Sequence, residues 1–145
     1  MRIDTLNPVT STRLAVVDIG ASLRTAAMSL SEPATRLIVV CHEDGRVAGV
    51  LNGLDIVRHL ATSGSVDEPV ATLMRRRLVA CGPEDDVQVV RTQMLAQNLE
   101  NVPVIGADSK PLGILDIRDL TDVLLDQEER QGRMLVNYVM GVGYR

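Results

Sequence analysis

Two carboxylates stand close together in the stretch GILDIRDL, which covers residues 113–120. The first three residues of this stretch are typical of the end of a strand, and the residues from Asp119 onward predict a helix. Asp116 and Asp119 therefore lie at a strand-to-helix junction. Carboxylates at such a junction accept hydrogen bonds from the free N–H groups of the first helical turn, and they can also contact a ligand. The pattern is compatible with a helix cap, a ligand site, or both.

The same motif occurs a second time, because the chain contains an internal repeat with an offset of 64 residues. Residues 36–60 align with residues 100–124 without a gap, so that Gly49 matches Gly113 and Asp55 matches Asp119. A gapless match of this length predicts two copies of one structural unit, copy one and copy two.

Each copy predicts the same order of elements, β-α-β-β-α. A short apolar run comes first, at 14–18 and at 78–81, and a stretch with apolar residues at helical spacing follows it. Two β-rich runs separated by a turn then predict an antiparallel hairpin. The paired runs are 37–41 with 47–51 and 101–105 with 112–116. A closing helix is predicted at 54–62 and, in a longer form, from about 117 to 139.

Neither copy alone can bury both faces of a three-stranded sheet together with two helices. We therefore predict an α+β fold in which two β-α-β-β-α units pack sheet to sheet with pseudo-two-fold symmetry, plus an extended C-terminal helix. Pro69 opens a short predicted helix, PVATLM, that leads into the second unit. The predicted boundaries are 5–62 for unit one, 63–69 for a linker rich in Gly, Ser and acids, 70–125 for unit two, and 126–145 for the helix extension and tail.

The composition argues against several classes of protein. The chain has 145 residues, of which 46% are hydrophobic, and no apolar run approaches the roughly 18 residues that a membrane span needs. The N-terminal stretch lacks the apolar region of a signal peptide, so we expect a cytoplasmic protein that does not enter a membrane. The net charge is −4, with two tyrosines and no Trp or Phe. A nucleic-acid binder usually has a basic groove with aromatic stacking platforms, so nucleic-acid binding is not expected.

The residues that usually perform catalysis or bind metals are scattered. Cys41 and Cys81 lie in apolar runs, which predicts small buried residues in strands. These cysteines, His42 and His59 show no spacing typical of metal ligands, so no metal site is predicted. No Ser/His/Asp set and no phosphate-binding loop is present, and we predict that the protein is not an enzyme and requires no cofactor.

The repeated motif and its surroundings resemble the cystathionine-β-synthase (CBS) domain family in its tandem form, often called a Bateman module. The pattern Gly-apolar-apolar-x-x-x-Asp occurs at 49–55 and at 113–119. NVPVIGADSKPLG (101–113) is similar to the family's hairpin, and ATLMRRRLVACGPEDDV (71–87) is similar to the helix, strand and turn that open each family unit. The resemblance extends from about residue 5 to residue 125.

The resemblance implies that an adenine nucleotide or a related adenosyl ligand binds in the cleft between the two units. Asp55 and Asp119 then become the candidates for the ribose, because a carboxylate accepts hydrogen bonds from two neighbouring hydroxyl groups. Backbone groups around Ile38, and beside Val102 and Pro103, would contact the adenine edge. The motif glycines would let the strand backbone approach the ligand closely.

The two implied sites differ in charge. Where the family usually has Ser or Thr three residues before the ribose aspartate, this chain has Asn52 and Asp116. Where the family often has a basic residue before the hairpin, copy one has Arg36 and copy two has Glu100. The carboxylates of copy two would repel a phosphate. We therefore expect the site of copy one to accept a nucleotide, and the site of copy two to be empty or to take an uncharged or cationic ligand.

Other interpretations remain open at this point. The motif aspartates are also explained as first-turn residues of helices, without a ligand. The basic run Arg75–Arg77 is compatible with contact to phosphates at the cleft mouth, with contact to a partner's acids, or with a solvated turn.

Two classes of function follow for a non-catalytic chain. In the first, an adenosyl ligand changes the angle between the units and so regulates an unidentified partner protein. In the second, the chain is a ligand-free scaffold for protein interactions. In either class the last helix, with a polar middle at 126–133 and an apolar cluster beyond it, predicts a homodimer. The cluster consists of Met134, Leu135, Tyr138 and Val139.

Overall fold

The computed structural model describes the backbone of residues 1–143 and the side chains of residues 1–132. Its two copies form the predicted α+β arrangement of two mixed units with a long C-terminal helix. The chain begins with a 3₁₀ turn at Ile3–Leu6, helix α1 at Asn7–Thr10 and a second 3₁₀ turn at Ser11–Arg13.

Copy one contains a three-stranded sheet with a helix on each side of its hairpin in sequence. Its elements are β1 (Val16–Asp18), α2 (Leu23–Leu30), β2 (Leu37–Cys41), β3 (Val47–Asn52) and α3 (Gly53–Ala61). The strand order is β1-β2-β3, with β1 parallel and β3 antiparallel to β2. All five residues of β2 are buried, as expected for a central strand of β-branched residues. The hairpin turn uses Gly45 at a positive φ of 87°, a conformation that glycine adopts readily.

Copy two has the same order of elements, except that its first strand is reduced to a single bridge. Its elements are α4 (Val87–Ala96), β4 (Asn101–Ile105), β5 (Pro111–Asp116) and α5 (Ile117–Gly143). Strands β4 and β5 form an antiparallel hairpin in the register that matches the hairpin of copy one. Helix α5 begins where the sequence predicts and extends a few residues further.

The predicted strand at 78–81 does not form, and a single parallel bridge between Cys81 and Val104 replaces it. In copy one, the N–H of Val39 donates to the carbonyl oxygen of Ala15 at 2.9 Å. The residue equivalent to Val39 is Pro103, which has no N–H to donate. The prediction of a strand is wrong here because the proline removes one ladder bond from an already short run.

The segment that leads into each copy packs on the other copy, so the two leading segments are exchanged between the copies. Residues 1–13, the first leading segment, pack on copy two, where Ile3 is buried in the core and its N–H donates to Asp85 at 2.9 Å. Residues 69–77, the second leading segment, pack on copy one, and the predicted short helix is a 3₁₀ turn at Val70–Thr72. The N–H of Val70 donates to the carbonyl oxygen of Ala21 at 2.8 Å. Each unit is therefore completed by residues that belong to the other one in sequence.

The two copies meet through the buried faces of their sheets, as predicted. Leu37, Val39 and Cys41 of β2 form one apolar cluster with Ile114 of β5. This contact places the strand-to-helix junctions of both copies beside the cleft. Among the described residues, no helix is both long enough and apolar enough to cross a membrane.

Candidate functional site

Asp55 lies in the first turn of α3, directly after β3. Asn52 is the N-cap residue, and its side chain accepts a hydrogen bond from the Asp55 N–H at 2.8 Å. In return, Asp55 Oδ2 accepts from the Asn52 N–H at 3.3 Å. The two residues form a capping box, so the interpretation of Asp55 as a helix-start residue is correct in this structure.

Asp119 occupies the equivalent position at the start of α5, and its Oδ2 accepts from the Asp116 N–H at 3.1 Å. Asp116 is only 4% exposed, and its carboxylate pairs with Arg118, whose Nε and Nη2 donate at 3.0 and 2.9 Å. Burial by itself raises the pKa of Asp116, but the hydrogen bonds from the side chain and backbone of Arg118 outweigh it and hold the pKa below its ordinary value. Asp116 is therefore ionised, and the guanidinium of Arg118 compensates its negative charge.

Each motif aspartate is also paired with an arginine from a leading segment. Arg75 Nε and Nη2 donate to Asp55 Oδ2 and Oδ1 at 3.2 and 2.6 Å. Arg13 contacts both oxygens of Asp119 through Nη1 and Nη2, the latter at 2.8 Å. This hydrogen bonding raises the pKa of Arg13 above its ordinary value. Both carboxylates that the sequence assigns to a ribose thus have a bidentate cation partner.

The two ion pairs differ in their exposure to water. In the pair of copy one, the side chain of Arg75 is 51% exposed and that of Asp55 is 10% exposed. In the pair of copy two, Arg13 is 24% exposed and Asp119 is 15% exposed. Sequence reasoning missed Arg13, and the repeat could not reveal it, because its equivalent residue is Arg77 and not Arg75.

A large cavity of about 640 Å³ lies between the copies. Its charged and polar lining comes from both of them: Thr35, Arg36, Asn52, Arg75, Asn98, Glu100 and Asn101. The volume lies within the range of roughly 300–1,000 Å³ that is typical of small-molecule sites. Arg36 and Glu100, which the sequence assigns to different sites, therefore face the same cavity.

Two smaller cavities adjoin the junction of copy two. One, of about 130 Å³, is lined by Arg13, Arg36, Asp116 and Arg118 among others. The other, of about 270 Å³, shares Arg36, Asp116 and Arg118 with it and adds Glu100. Arg36 thus contributes to all three cavities, and the space beside Asp116 is smaller than the large cavity.

The three candidates for adenine contacts are core residues. Ile38 and Val102 are buried in the cores of their own copies, and Pro103 is also buried. The carbonyl oxygen of Pro103 already accepts from the Cys81 N–H at 3.1 Å. The large cavity is lined by their strand neighbours Leu37 and Asn101 instead.

The motif glycines approach the protein's own backbone. A Cβ atom on Gly49 would lie 2.8 Å from the carbonyl oxygen of Arg75, and one on Gly113 would lie 2.7 Å from the carbonyl carbon of Thr10. Each glycine therefore lies against a leading segment. The absence of a side chain lets that segment run close to the motif aspartate.

Comparison with known proteins identifies this architecture. A family model described as the CBS domain matches the chain twice, over residues 6–62 and 70–126. An uncharacterized 17.7 kDa protein of Acidianus ambivalens is 28% identical over 95% of this chain and 84% of its own length. The chloride channel protein CLC-f of Arabidopsis thaliana is 29% identical over 79% of this chain, which spans only 18% of the channel's length.

Solved structures share the fold. A CBS domain pair in complex with 5′-methylthioadenosine and S-adenosyl-L-methionine is 19% identical, with a TM-score of 0.74 over 86% of this chain and 99% of the other. A CBS domain protein from Pyrobaculum aerophilum complexed with AMP is 24% identical, with a TM-score of 0.73 over 82% of this chain and 89% of the other. Given two matched units in one chain, the repeated junction motif and this shared fold, the chain belongs to the CBS domain family as a tandem pair.

Proposed function

We propose that the cleft binds an adenosine-containing ligand, such as AMP or ATP, and that binding regulates a partner protein from within a cytoplasmic homodimer. The large cavity carries this proposal, because it joins Asn52 and Arg36 at the junction that also holds Asp55. A ribose would contact Asp55, and a phosphate would contact Arg36. The complexes of family members with AMP, 5′-methylthioadenosine and S-adenosyl-L-methionine support the same class of ligand.

Copy one offers the better site for a nucleotide. The junction of copy one opens on the large shared cavity of about 640 Å³, whereas Asp116 of copy two lines cavities of about 130 and 270 Å³. The reason differs from the one that the sequence suggests, because Arg118 neutralises Asp116 and Arg13 neutralises Asp119. The volume of the large cavity and the greater exposure of Arg75 favour copy one, in addition to any charge repulsion in copy two.

Titration calorimetry with AMP, ATP and S-adenosylmethionine tests this assignment. Asp55→Ala should weaken nucleotide binding by at least about tenfold, because charged hydrogen bonds contribute roughly 1.5–3 kcal/mol. Asp119→Ala is the matched control, since it removes the equivalent carboxylate of copy two and should leave the affinity close to that of the wild type. Full-strength binding by Asp55→Ala, with loss in Asp119→Ala, would move the site to copy two.

A ligand-free interaction scaffold is the alternative, and one observation favours it. Both motif aspartates already have bidentate arginine partners, so neither carboxylate requires a ligand. Thermal shift with the same compounds separates the two functions, because a ligand at 100 times its dissociation constant stabilises the folded state by about 2.7 kcal/mol. No shift with any adenosyl compound would favour the scaffold.

A further inference from the structure

Arg75 connects the large cavity to the carboxylate beside it. Its side chain lines the cavity together with Asn52 and Arg36. At the same time its guanidinium donates to both oxygens of Asp55, at 3.2 and 2.6 Å. The group that would accept the ribose hydroxyls is therefore occupied by a residue of the cavity wall.

Arg75 and a ribose compete for the same acceptor positions. A carboxylate offers about four lone-pair sites. Arg75 uses two of the sites on Asp55, and the Asn52 N–H, at 3.3 Å from Oδ2, uses a third. Two ribose hydroxyls need two sites, so the ribose can bind fully only after Arg75 has left.

The geometry allows the side chain of Arg75 to leave while its backbone stays. The Arg75 N–H donates to the carbonyl oxygen of Val50 at 2.8 Å, and the Arg75 carbonyl oxygen accepts from the Val50 N–H at 3.0 Å. These bonds hold the main chain on β3. The guanidinium of Arg75 is 51% exposed and can exchange Asp55 for water or for another anion, whereas Asp55, at 10% exposed, needs the ribose hydroxyls as its new partners.

The remaining charges of the cavity favour a phosphate as the new partner. While Arg75 is paired with Asp55, the other charged groups of the wall are Arg36 and Glu100, which are of opposite sign. When ribose hydroxyls take Asp55, Arg75 becomes an additional cation beside the cavity. A phosphate monoester carries roughly −1.5 to −2 charges at neutral pH, and an arginine guanidinium can bind it through two parallel hydrogen bonds.

We propose that Arg75 exchanges Asp55 for the phosphate of the ligand, so that the site of copy one selects phosphorylated adenosyl ligands over unphosphorylated ones. This inference rests on the proposed adenosyl-binding function of the cleft. An unphosphorylated ligand must displace Arg75 without supplying a new anion for it, and its affinity is lower for that reason.

The exchange is specific to copy one. The two copies differ in the arginine, because Arg13 is 24% exposed and would be poorly solvated without Asp119, whereas Arg75 is 51% exposed. The cavity that Arg13 lines has a volume of only about 130 Å³. Arg13 therefore closes the site of copy two, whereas Arg75 selects the ligand of copy one.

Calorimetric titration with AMP and with adenosine tests this exchange on the wild type, Arg75→Ala and the control Arg76→Ala. Arg76 is the exposed neighbour and does not line the cavity. The wild type and Arg76→Ala should prefer AMP to adenosine by at least about tenfold, which is about 1.4 kcal/mol. Arg75→Ala should lose most of this preference, because AMP binds more weakly while adenosine binds as well as before or better.

Three outcomes contradict the exchange in different ways. If Arg75→Ala binds AMP and adenosine with the same affinity ratio as the wild type, whether both affinities are retained or equally reduced, the exchange is overturned while the adenosyl site stays in place. If Arg75→Ala binds adenosine and the wild type binds neither compound, Arg75 blocks the site and does not select between ligands. No binding of either compound by any folded variant would overturn the proposed function and the exchange with it. Circular dichroism checks the fold, and Arg75→Gln replaces the alanine variant should that variant fail to fold.

Discussion

At the scale of single residues, each motif aspartate combines a place in the first turn of a helix, which the sequence predicts, with an arginine ion pair, which it does not. Asp55 accepts the N–H of its own N-cap residue and pairs with Arg75 beside the large cavity. The expected repulsion between Asp116 and a phosphate is reduced for a related reason, since Arg118 pairs with that carboxylate. The arginine–aspartate ion pairs therefore determine the local charge of this cleft. A count of acidic residues in the sequence overstates how negative its electrostatic potential is.

The buried Asp116 predicts a specific dependence of stability on pH. Its folded-state pKa is lowered from its ordinary value, so the stabilisation is complete above the unfolded pKa of about 3.9 and is lost as the pH falls through the folded pKa. Thermal unfolding from pH 6 to pH 2.5 should therefore show a shallower acid dependence in Asp116→Asn than in the wild type. Glu68 and Asp86, whose pKa values are also lowered, contribute equally to both proteins. Identical slopes for the two proteins would show that Asp116 is not coupled to folding.

At the scale of elements, the leading segments determine the form of the junctions. Each leading segment crosses to the other copy and runs beside the strand that ends in the motif. Gly49 and Gly113 make this approach possible, because a side chain at either position would collide with the crossing backbone. The glycine of the repeated motif is thus required by the packing of Arg75 and Thr10, whatever the ligand.

Replacement of Gly113 tests this packing. A Cβ atom there would lie 2.7 Å from a backbone atom of Thr10, so Gly113→Ala should lower the free energy of unfolding by about 1–3 kcal/mol. Gly53→Ala is the matched control in the same type of junction, because its Cβ would meet no atom within 4 Å. It should be neutral or slightly stabilising, by up to about 1 kcal/mol. Urea denaturation of both variants measures the difference, and equal stabilities would contradict the crossing contact.

At the scale of the whole molecule, the large cavity belongs to neither copy alone. One wall comes from residues of copy one between 30 and 54 together with Arg75 of the second leading segment, and the other from residues 98–101 of copy two. A ligand that contacts both walls can favour one angle between the copies, which is the physical basis of the proposed regulation. Helix α5 extends beyond this body, and nearly all of its side chains from 126 to 132 are exposed.

The predicted homodimer depends on the end of this helix, whose apolar cluster at 134–139 lies outside the described side chains. Deletion of residues 130–145 should convert a dimer into a monomer, because the deletion removes the whole cluster that a second subunit would cover. Light scattering on the full-length and shortened chains measures the change in mass. A shortened chain that remains dimeric would place the interface elsewhere on the molecule.

Some elements were predictable almost residue by residue, and the reason is local. The β-rich runs 37–41 and 101–105 are strands with those same bounds, because each stands between turn residues and forms a hairpin with its neighbour. The run 78–81 is also apolar but forms only a single bridge, because the strand beside it contains Pro103, which has no N–H to donate. Whether residues 78–81 form a strand thus depends on Pro103, a residue more than twenty positions away in the sequence.

The sequence by itself determined the repeat, the two hairpins, the place of Asp55 and Asp119 in the first turn of a helix, and membership of a family with tandem units. These features follow from local patterns and from their repetition at a constant offset. Only the tertiary structure decided that Arg75 and Arg13 occupy the motif carboxylates, and that Arg36 and Glu100 share one cavity. The two ion pairs depend on the exchange of the leading segments, and the shared cavity depends on how the two copies pack. Local sequence patterns contain no information on either arrangement.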